Sequence, residues 1–486
     1  MAVIRIALPA GTARAWQSEL ARRLVAAGHN VRFVAGKGDD AWPGVVRSIL
    51  AVEERLWRRN SPLWANVPAA FDRSAGVADL AIDLAGDAIE PTALSLRFDG
   101  SPSASAAAAA LLRGRLPDLE VVRGGHVIAR AAPMVDGRIQ LGRGLDDVLA
   151  RAITLLAATV ERVLAGETPA PLATESRLAT DESGLASAVA FRAMPRAAGE
   201  VARRMFVWPA HWRVGYRFHD GPGVAELGQL RGPDWTILPD DGARYYADPF
   251  AFGHRGRHFI FVEEYPHHGG KGLISVAEFD GGGRPSVPRV VLEEPHHLSY
   301  PQVFARGDDI FMLPEAGASN ALTLYRAERF PDVWRPYRTL IEGRALFDAT
   351  LLEHGGRLWM FASERDGAGS TSDTMVAFFA DRLEGPWTAH RANPIAIDRA
   401  AARPGGAFAR VGRRIVRPVQ DGTEIYGGGL GLSDLVRLDE QAVEFSRPVA
   451  ILGMKSWPYP RIHTLNRAGR LEVIDGLAEV RKVRAA

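Results

Sequence analysis

The spacing of hydrophobic residues changes near residue 205 and divides the chain into two parts. In the first part, strands are predicted from the short apolar runs VIRIALPAG, VRFVAG, VADLAIDLAG and SLRFDG. Helices are predicted from two segments with apolar residues at helical spacing, TARAWQSELARRLVAAGHN and LDDVLARAITLLAATVERVLAG. Because strands and helices alternate, we predict a parallel, Rossmann-like α/β sheet over residues 1–165.

Residues 166–204 predict a linker followed by a helix. The linker, 166–184, is rich in Pro, Ala, Thr and Ser. The stretch that follows, ASAVAFRAMPRAAGEVARRMFVW, mixes arginines with large apolar residues, a composition that suits a membrane surface. We favour a helix that packs between domains, because Pro195 breaks a long amphipathic face. Peripheral membrane contact is the alternative.

From about residue 205 the pattern becomes a repeat of short strands. Each repeat has a polar or proline start, an apolar strand, a turn with glycine and a second apolar strand, as in DPFAFGHRGRHFIFVEE. The turn glycines are Gly256, Gly307, Gly356, Gly412 and Gly469, at spacings of 51, 49, 56 and 57 residues. One four-stranded propeller blade has about this length, so we predict an all-β five-bladed β-propeller over residues 205–486. The preceding HWRVGYRF predicts a strand that closes the last blade and protects its edge.

The repeat places a set of polar residues at one mouth of the propeller, because the first two strands of each blade are antiparallel. The strand starts supply Asp248, Tyr300, Asp348, Arg403 and Arg461, with His463 close by. The strand ends supply Glu263, Glu264, Glu315, Glu364 and Gln420. Buried charges without partners are costly, so these groups either pair with one another or bind a polar ligand. With Trp, Tyr and His nearby, we favour a ligand site over turn capping and ion pairs between blades.

Composition narrows the function classes and the expected compartment. Hydrophobic residues make up 47% of the 486 positions and charged residues 24%, as in ordinary soluble proteins. A net charge of +2 argues against a nucleic-acid partner. The absence of cysteine excludes disulfides, cysteine-based metal sites and a cysteine nucleophile. Neither a signal peptide nor a membrane-spanning stretch is recognised, so a cytoplasmic location is expected.

No cofactor or metal motif stands out. The turn PAGTAR after the first strand is too loose for a dinucleotide fingerprint. His463 is a lone histidine, which is more often hydrogen-bonded than a metal ligand, and the histidine pairs 267–268 and 296–297 lie in predicted loops. We therefore predict neither a metal nor another cofactor.

Several motifs taken together make the second part recognisable: YYADPFAF with HFIFVEEY, HLSYPQVF, FDATLLEHGGRLWMFAS and RPGGAFARVGRRIVRPVQD. Through them, residues 205–486 resemble a bacterial family named after the plant glucosamine inositolphosphorylceramide transferase. The propeller resembles the five-bladed fold of glycoside hydrolase family 43. In the plant enzyme a separate glycosyltransferase domain follows the propeller, so the family name by itself does not transfer the activity.

Residues 1–165 resemble, more faintly, the formyltransferase-like domain found ahead of this propeller. Formyltransferases use an Asn-x-His motif, and the two histidines of this region, His29 and His126, do not fit it. We therefore expect a catalytically degenerate domain that serves as a scaffold or as a platform for a nucleotide-sugar.

The resemblance to propeller glycosidases implies roles for the mouth residues. Asp248 matches the aspartate that acts as general base, and Asp348 matches a second aspartate that tunes pKa and orientation. Arg403 stands where the glutamate acid is expected, so Glu315 or Glu364 becomes the candidate acid. The catalytic candidates are Asp248, Asp348 and Glu315. The substrate-binding candidates are Tyr300, Glu264, Glu364, Arg403, Arg417, Gln420, Arg461 and His463.

Two enzyme reactions fit these residues. A transferase that uses an activated sugar needs positive charge for the departing phosphate, which Arg403, Arg417 and Arg461 supply, while Asp248 deprotonates an acceptor hydroxyl. A hydrolase needs an acid with a raised pKa. We favour transfer from an activated sugar, including a nucleotide-sugar, to a surface glycan or glycolipid in polysaccharide biosynthesis. Glycoside hydrolysis is the alternative.

A third function belongs to a different class. A non-catalytic glycan-binding propeller would stack sugar rings on Trp359, Trp387, Trp457 and Tyr459 and would not need Asp248. For Trp359, in the middle of a predicted strand, core packing is the better explanation.

Overall fold

The computed structural model describes residues 1–9, 13–38, 41–57, 62–72, 76–86, 90, 92–167, 169–172, 184–451 and 456–482. Most of the predicted linker, 173–183 in particular, lies outside them. By internal contacts the chain divides into two units. The first comprises residues 1–201 with 366–370, and the second comprises residues 202–365 with 371–486.

The first unit contains six helices and eight strands among its described residues. The strands are β1 (Val3–Pro9), β2 (Ala13–Arg14), β3 (Asn30–Gly36), β4 (Asn66–Val67), β5 (Leu80–Asp83), β6 (Leu94–Phe98), β7 (Leu119–Arg123) and β8 (His126–Ala131). The helices are α1 (Ala15–Ala26), α2 (Gly44–Trp57), α3 (Ser105–Leu112), α4 (Leu141–Leu164), α5 (Leu185–Ala188) and α6 (Met194–Phe206), the last of which runs on into the second unit. The predicted strands and the two predicted helices lie where the apolar spacing placed them.

The main sheet of the first unit is mixed rather than parallel. Its strand order is β3-β1-β5-β6-β7-β8. The first four strands are parallel, but β7 runs antiparallel to both β6 and β8. The sheet therefore departs from the predicted parallel Rossmann-like arrangement at one edge, where a hairpin replaces a helical crossover. Helix α4 packs against β7 and β8 of the sheet and carries buried leucines, including Leu145 and Leu149.

Helices α5 and α6 form one continuous helical segment, because a π turn, Val189–Ala193, joins them. Pro195 is the second residue of α6, where its missing N–H does not interrupt the helix that follows. The wider π turn lies directly before it and accommodates the ring. The expectation that Pro195 breaks the amphipathic face is therefore wrong for α6. No helix in the described part of the chain has both the length and the hydrophobicity of a membrane span.

The described residues of the second unit form five sheets and, besides the end of α6, one short α-helix, α7 (Val224–Leu227), and a 3-10 turn, Gly317–Ser319. The first three sheets comprise β11 (Arg244–His254), β12 (Arg257–Pro266), β13 (Leu273–Glu278) and β14 (Arg289–Leu292); β15 (Ser299–Arg306), β16 (Asp309–Glu315), β17 (Ala321–Arg329) and β18 (Val333–Glu342); and β19 (Leu346–His354), β20 (Arg357–Glu364), β21 (Thr374–Ala380), β22 (Thr388–Ala389) and β23 (Ala396–Ile397). The fourth comprises β24 (Ala409–Val411), β25 (Arg414–Asp421), β26 (Gly429–Leu438), β27 (Val443–Phe445) and β28 (Val449–Ala450). The fifth joins β9 (Trp212–Phe218) and β10 (Thr236–Ile237) to β29 (Leu465–Ala468) and β30 (Leu471–Leu477).

The five sheets close into a five-bladed β-propeller. Successive blades share apolar clusters: Phe261 and Tyr300 lie in the cluster of blades one and two, and Tyr216 and Ile260 in the cluster of blades five and one. The predicted closing strand, β9, pairs with the C-terminal β30, so the last blade combines both ends of the propeller segment. Each predicted turn glycine joins the first two strands of a blade with φ between 59° and 76°, a conformation that glycine adopts without steric cost.

Candidate functional site

Three blades carry the same irregularity on their innermost strand. In β11, β15 and β19 two residues oppose one residue of the partner strand, which is a β-bulge. The first bulged residue is Asp248, Tyr300 and Asp348 in turn, with φ of 49°, 45° and 51°. A left-handed conformation costs a non-glycine residue roughly 1–2 kcal/mol, so the surrounding contacts must hold it. The bulges turn the two aspartates out of the strand alternation and into the mouth of the propeller.

Asp248 is held by a chain of buried polar groups from the last blade. Its Oδ1 accepts a hydrogen bond from Thr464 Oγ1 at 2.8 Å and lies 3.1 Å from His463 Nε2. The other ring nitrogen of His463 lies 2.8 Å from Oδ2 of Asp475. Asp475, on β30, also accepts the backbone N–H of Asp248 at 3.1 Å. The imidazole therefore lies between two carboxylates, both of them buried.

The electrostatic surroundings of Asp248, His463 and Asp475 determine the protonation state of these three side chains. Burial opposes a charge on His463, but the neighbouring Asp475 and Asp248 raise the pKa of His463 to about 10. Burial likewise opposes ionisation of Asp248, but the His463 imidazolium and Thr464 outweigh it and hold the pKa of Asp248 below its usual value. Near neutral pH the series Asp248–His463–Asp475 is therefore carboxylate–imidazolium–carboxylate. Trp212 packs over the imidazolium with the two ring centres 3.9 Å apart, as in a cation–π contact.

Asp248, His463 and Asp475 are also close enough to one another to surround an ion. A histidine binds a metal through a neutral, unprotonated nitrogen, whereas both nitrogens of His463 face carboxylates, at 3.1 and 2.8 Å. In this arrangement the three residues form ion pairs with one another.

Asp348 is paired with Arg403 in a two-pronged contact. Arg403 Nε donates to Asp348 Oδ2 at 2.6 Å and Nη2 donates to Oδ1 at 3.1 Å, while Gln420 Nε2 donates to Oδ2 at 2.8 Å. The third guanidinium nitrogen donates to Thr371 Oγ1 at 3.1 Å. The side chain of Asp348 is only 1% exposed. These contacts make Arg403 the partner of a buried carboxylate and leave it poorly placed to bind a departing phosphate.

Two glutamates face the same mouth from the second strands of blades one and two. Burial, reinforced by the charge of Asp348, raises the pKa of Glu315 from 4.5 to about 7. Burial and the charge of Asp248 raise the pKa of Glu263 well above its usual value. Ser299 Oγ donates to Glu315 at 2.7 Å and orients it. The mouth thus combines Asp248, whose pKa is lowered, with two carboxyl groups whose pKa values are raised.

His297 lies between these two glutamates. Its Nδ1 accepts the Gly272 backbone N–H at 2.8 Å, so the proton of the neutral ring is on Nε2. Nε2 lies 3.4 Å from Glu263 Oε1 and 3.9 Å from Glu315 Oε2. Burial lowers the pKa of His297, although its side chain remains 34% exposed. His297 therefore links the carboxyl groups to the solvent side of the mouth.

Several predicted site residues have other contacts. Glu264 is adjacent to Glu263 but binds Arg244 and, at 2.6 Å, Ser275 Oγ. Glu364 makes a two-pronged ion pair with Arg344, with both contacts at 2.6 Å. Glu264 and Glu364 were predicted to bind a substrate, but these contacts already engage their carboxylates.

The remaining predicted residues differ in whether their side chains already have partners. The Tyr300 hydroxyl is 2.9 Å from Thr350 Oγ1 and accepts the Gly406 N–H at 2.7 Å. Arg417 donates to the Ala401 and Ala402 carbonyls inside blade four, and burial lowers its pKa to about 10. Arg461, half-buried, makes no side-chain hydrogen bond or ion pair with any residue the structure describes.

Sequence reasoning missed three residues of the site, His297, Asp475 and Tyr426, and it placed Glu263 at the mouth without giving it a role. Tyr426 is 42% exposed, and the Arg403 guanidinium lies 5.0 Å from its ring centre. Of the aromatic residues that would stack sugar rings in a glycan-binding propeller, Trp359 and Trp457 are buried in core clusters.

The fold and the site define a five-bladed β-propeller with buried acidic and basic groups at one mouth. Residues 239–472, which contain the site residues named above except Trp212 and Asp475, match the family model described as glucosamine inositolphosphorylceramide transferase 1, N-terminal. The proteins of that name from Oryza sativa subsp. indica and Arabidopsis thaliana are 31% and 29% identical over 249 and 230 residues. These alignments cover 48% and 46% of this chain and 33% and 30% of the relatives, so the chain spans about a third of their length. The family match does not extend to residues 1–165, and the formyltransferase-like character of that region stays a prediction.

Solved glycoside hydrolases are also similar, at low levels. A family 117 enzyme from Zobellia galactanivorans aligns at a TM-score of 0.35 with 11% identity, covering 50% of this chain and 76% of that one. An exo-β-1,3-galactanase from Clostridium thermocellum aligns at 0.35 with 10% identity, covering 49% and 60%. Similarities at this level support no functional inference.

Proposed function

We propose that this chain is a carbohydrate-active enzyme that transfers a glycosyl group from an activated sugar to a hydroxyl of a glycan or glycolipid, at the propeller mouth. The observation that carries the proposal is the buried carboxylate of Asp248, which lies 3.1 Å from His463 Nε2 and whose pKa this neighbour lowers. A carboxylate kept ionised at the mouth can act as a general base toward an acceptor hydroxyl. The plant relatives are named glucosamine inositolphosphorylceramide transferases, which supports a glycolipid acceptor.

Asp248 is the proposed base. Its carboxylate is 5% exposed and the His463 imidazolium keeps it ionised, so it can accept the proton of an acceptor hydroxyl as that oxygen attacks the sugar. Asp475 holds the imidazolium from behind and acts as a positioning residue. Asp348, almost fully buried and neutralised by Arg403, shapes the field around the reacting centre rather than contacting the acceptor.

Arg461 is the proposed ligand for the leaving phosphate. Of the three arginines considered for this role, Arg403 is engaged by Asp348 and Arg417 by backbone carbonyls. Arg461 alone has no such partner among the described residues. Arg461→Ala should therefore weaken donor binding at least about tenfold, since a charge-assisted hydrogen bond contributes roughly 1.5–3 kcal/mol. An unchanged donor KM would contradict this role.

Glycoside hydrolysis is the second candidate, and Glu315 is the observation that favours it. Its pKa of about 7 is that of an acid able to protonate a poor alkoxide leaving group. A phosphate leaving group does not need this proton. The two reactions therefore make different demands on the same side chain.

One set of variants distinguishes the candidates. Wild type, Asp248→Asn, Glu315→Gln and the matched control Glu364→Gln are assayed on activated donors with acceptors and on alkyl glycosides. For a transferase, Asp248→Asn should lose turnover by roughly 10²–10⁴-fold while Glu315→Gln keeps most of it on activated donors. For a hydrolase, both variants should lose turnover on alkyl glycosides. Tight glycan binding by a wild type inert on every substrate would reject both and leave a binding propeller.

A further inference from the structure

The helical segment from Leu185 to Phe206 presents an apolar stripe to solvent. In α6, Met194, Val201 and Met205 are spaced so that they share one side of the helix, and they are 64%, 56% and 62% exposed. Phe191, in the preceding π turn, is 80% exposed. Large apolar residues at this spacing normally cover a core, so an exposed stripe of this kind marks an interaction surface.

Positive charge accompanies the stripe. Residues 189–206 contain four arginines and one glutamate. Two of the arginines, Arg192 and Arg196, are exposed, and neither forms a hydrogen bond or ion pair with another residue in the ranges described above. An apolar stripe with nearby arginines is the composition of helices that lie in the headgroup layer of anionic membranes.

A groove of about 440 Å³ opens beside this segment within the first unit. Its walls include the apolar side chains Leu111, Leu116, Val135, Ile139 and Leu141. Five arginines also line it: Arg113, Arg115, Arg138, Arg192 and Arg196.

The acidic residue of the groove lining is already engaged. The Glu53 carboxylate accepts the backbone N–H groups of Leu141 and Gly142 at 2.8 and 2.7 Å, at the start of α4. Among the arginines of the lining, Arg115 pairs with Asp99 at 3.3 Å, while Arg192 and Arg196 are exposed. The groove thus combines apolar walls with two exposed cationic side chains, which complement the acyl chain and the phosphate of an anionic lipid.

We propose that this surface binds the anionic leaflet of a phospholipid bilayer. The stripe enters the headgroup layer, Arg192 and Arg196 pair with lipid phosphates, and one acyl chain occupies the groove. The inference goes beyond the proposed function, because every residue it uses lies outside the propeller mouth.

Vesicle sedimentation of the full chain tests the bilayer contact. Wild type should bind vesicles of phosphatidylcholine with phosphatidylglycerol and lose binding at high salt or on phosphatidylcholine alone. Phe191→Ser with Met194→Ser should weaken partitioning at least about tenfold. Arg192→Gln with Arg196→Gln should weaken it about 25-fold, at about fivefold for each arginine.

The matched control is Val287→Ser with Arg338→Gln, which changes one exposed apolar and one exposed cationic residue of the propeller. It should bind as wild type does. The proposal is overturned if wild type ignores anionic vesicles at low salt, or if the stripe variants bind as well as the control. A wild-type dimer in solution that Phe191→Ser with Met194→Ser converts to monomer, without vesicle binding, would instead assign the stripe to a second copy of this chain.

The groove is tested separately with a soluble short-chain phosphatidylglycerol in titration calorimetry. Ala197 lines the groove, and Ala197→Phe should fill it and reduce the affinity for this lipid at least about tenfold. Inorganic phosphate should not compete with the lipid. Unchanged affinity in Ala197→Phe, or full competition by phosphate, would remove the groove from the proposal.

Discussion

Replacing Glu315 by glutamine tests whether this carboxyl group keeps its proton near neutral pH. Glutamine has nearly the same shape and its carbonyl can accept the Ser299 hydrogen bond, but it cannot ionise. In the wild type, burial and the charge of Asp348 raise the pKa of Glu315 from 4.5 to about 7. Because the side chain is 5% exposed, solvent screens this effect little. At ~1.4 kcal/mol per tenfold change in equilibrium, ionisation in the folded protein costs about 3 kcal/mol more than in the unfolded chain.

The sign of the pH dependence follows from which state binds the proton. Between pH 4.5 and about 7 the unfolded chain has lost the Glu315 proton and the folded protein has kept it. The wild type should therefore lose about 3 kcal/mol of stability relative to Glu315→Gln across this interval, and no more above it. Denaturation of both proteins by urea at a series of pH values measures this gap.

A titration of the folded proteins gives an independent reading. The difference in bound protons between wild type and Glu315→Gln should change by one, centred near pH 7. This titration should persist in Glu364→Gln, because Glu364 ends the corresponding strand of the next blade but pairs with Arg344. A proton released near pH 4.5, or a stability gap that is flat between pH 4.5 and 7, would refute the assignment of Glu315 as a protonated acid.

Three further substitutions test the contacts behind the site. Asp475→Asn removes a carboxylate that raises the pKa of His463, and this pairing stabilises the wild type below pH 6.5 and ceases to do so toward pH 10. Urea denaturation should therefore show a larger loss of stability in the variant at pH 6 than at pH 10. Equal losses at the two pH values would contradict the pairing. Arg403→Ala leaves a buried carboxylate without its cation and should destabilise the propeller by about 3–5 kcal/mol, whereas a loss under ~1 kcal/mol would show the pair to be unimportant. Gly427→Ala places a Cβ 2.6 Å from a tryptophan ring and should lower Tm more than Gly412→Ala, which has the same φ of 60° but open space around it.

The repeat could be predicted from the sequence because its signal is local. A turn glycine between two apolar strands recurs in every blade, and each of these glycines adopts the positive φ that such a hairpin requires. The start of the first inner strand could be located in the same way, which placed Asp248 at the mouth. Strand identity and hairpin position depend on neighbours a few residues away.

The faces of adjacent residues could not be predicted in the same way. Glu263 and Glu264 are neighbours at the end of β12, and strand alternation sends them to opposite sides. Only the contacts of the folded chain distinguish them, since Glu264 binds Arg244 and Ser275 whereas Glu263 faces the mouth near His297. His297 had no strand pattern at all, since its position in the site comes from a loop held by the Gly272 N–H.

The sequence by itself determined the α/β region, the five blades, the closing strand and the residues eligible for the mouth, because hydrophobic period and turn chemistry act over short distances. Only the tertiary structure decided which charges meet. Asp348 meets Arg403 across 55 residues and Asp248 meets His463 across 215, and these encounters determine which carboxyl group is ionised and which arginine is engaged. A buried charge is stable only beside its partner. The contact between blades three and four supplies the partner of Asp348, and ring closure, which joins the first and last blades, supplies the partner of Asp248.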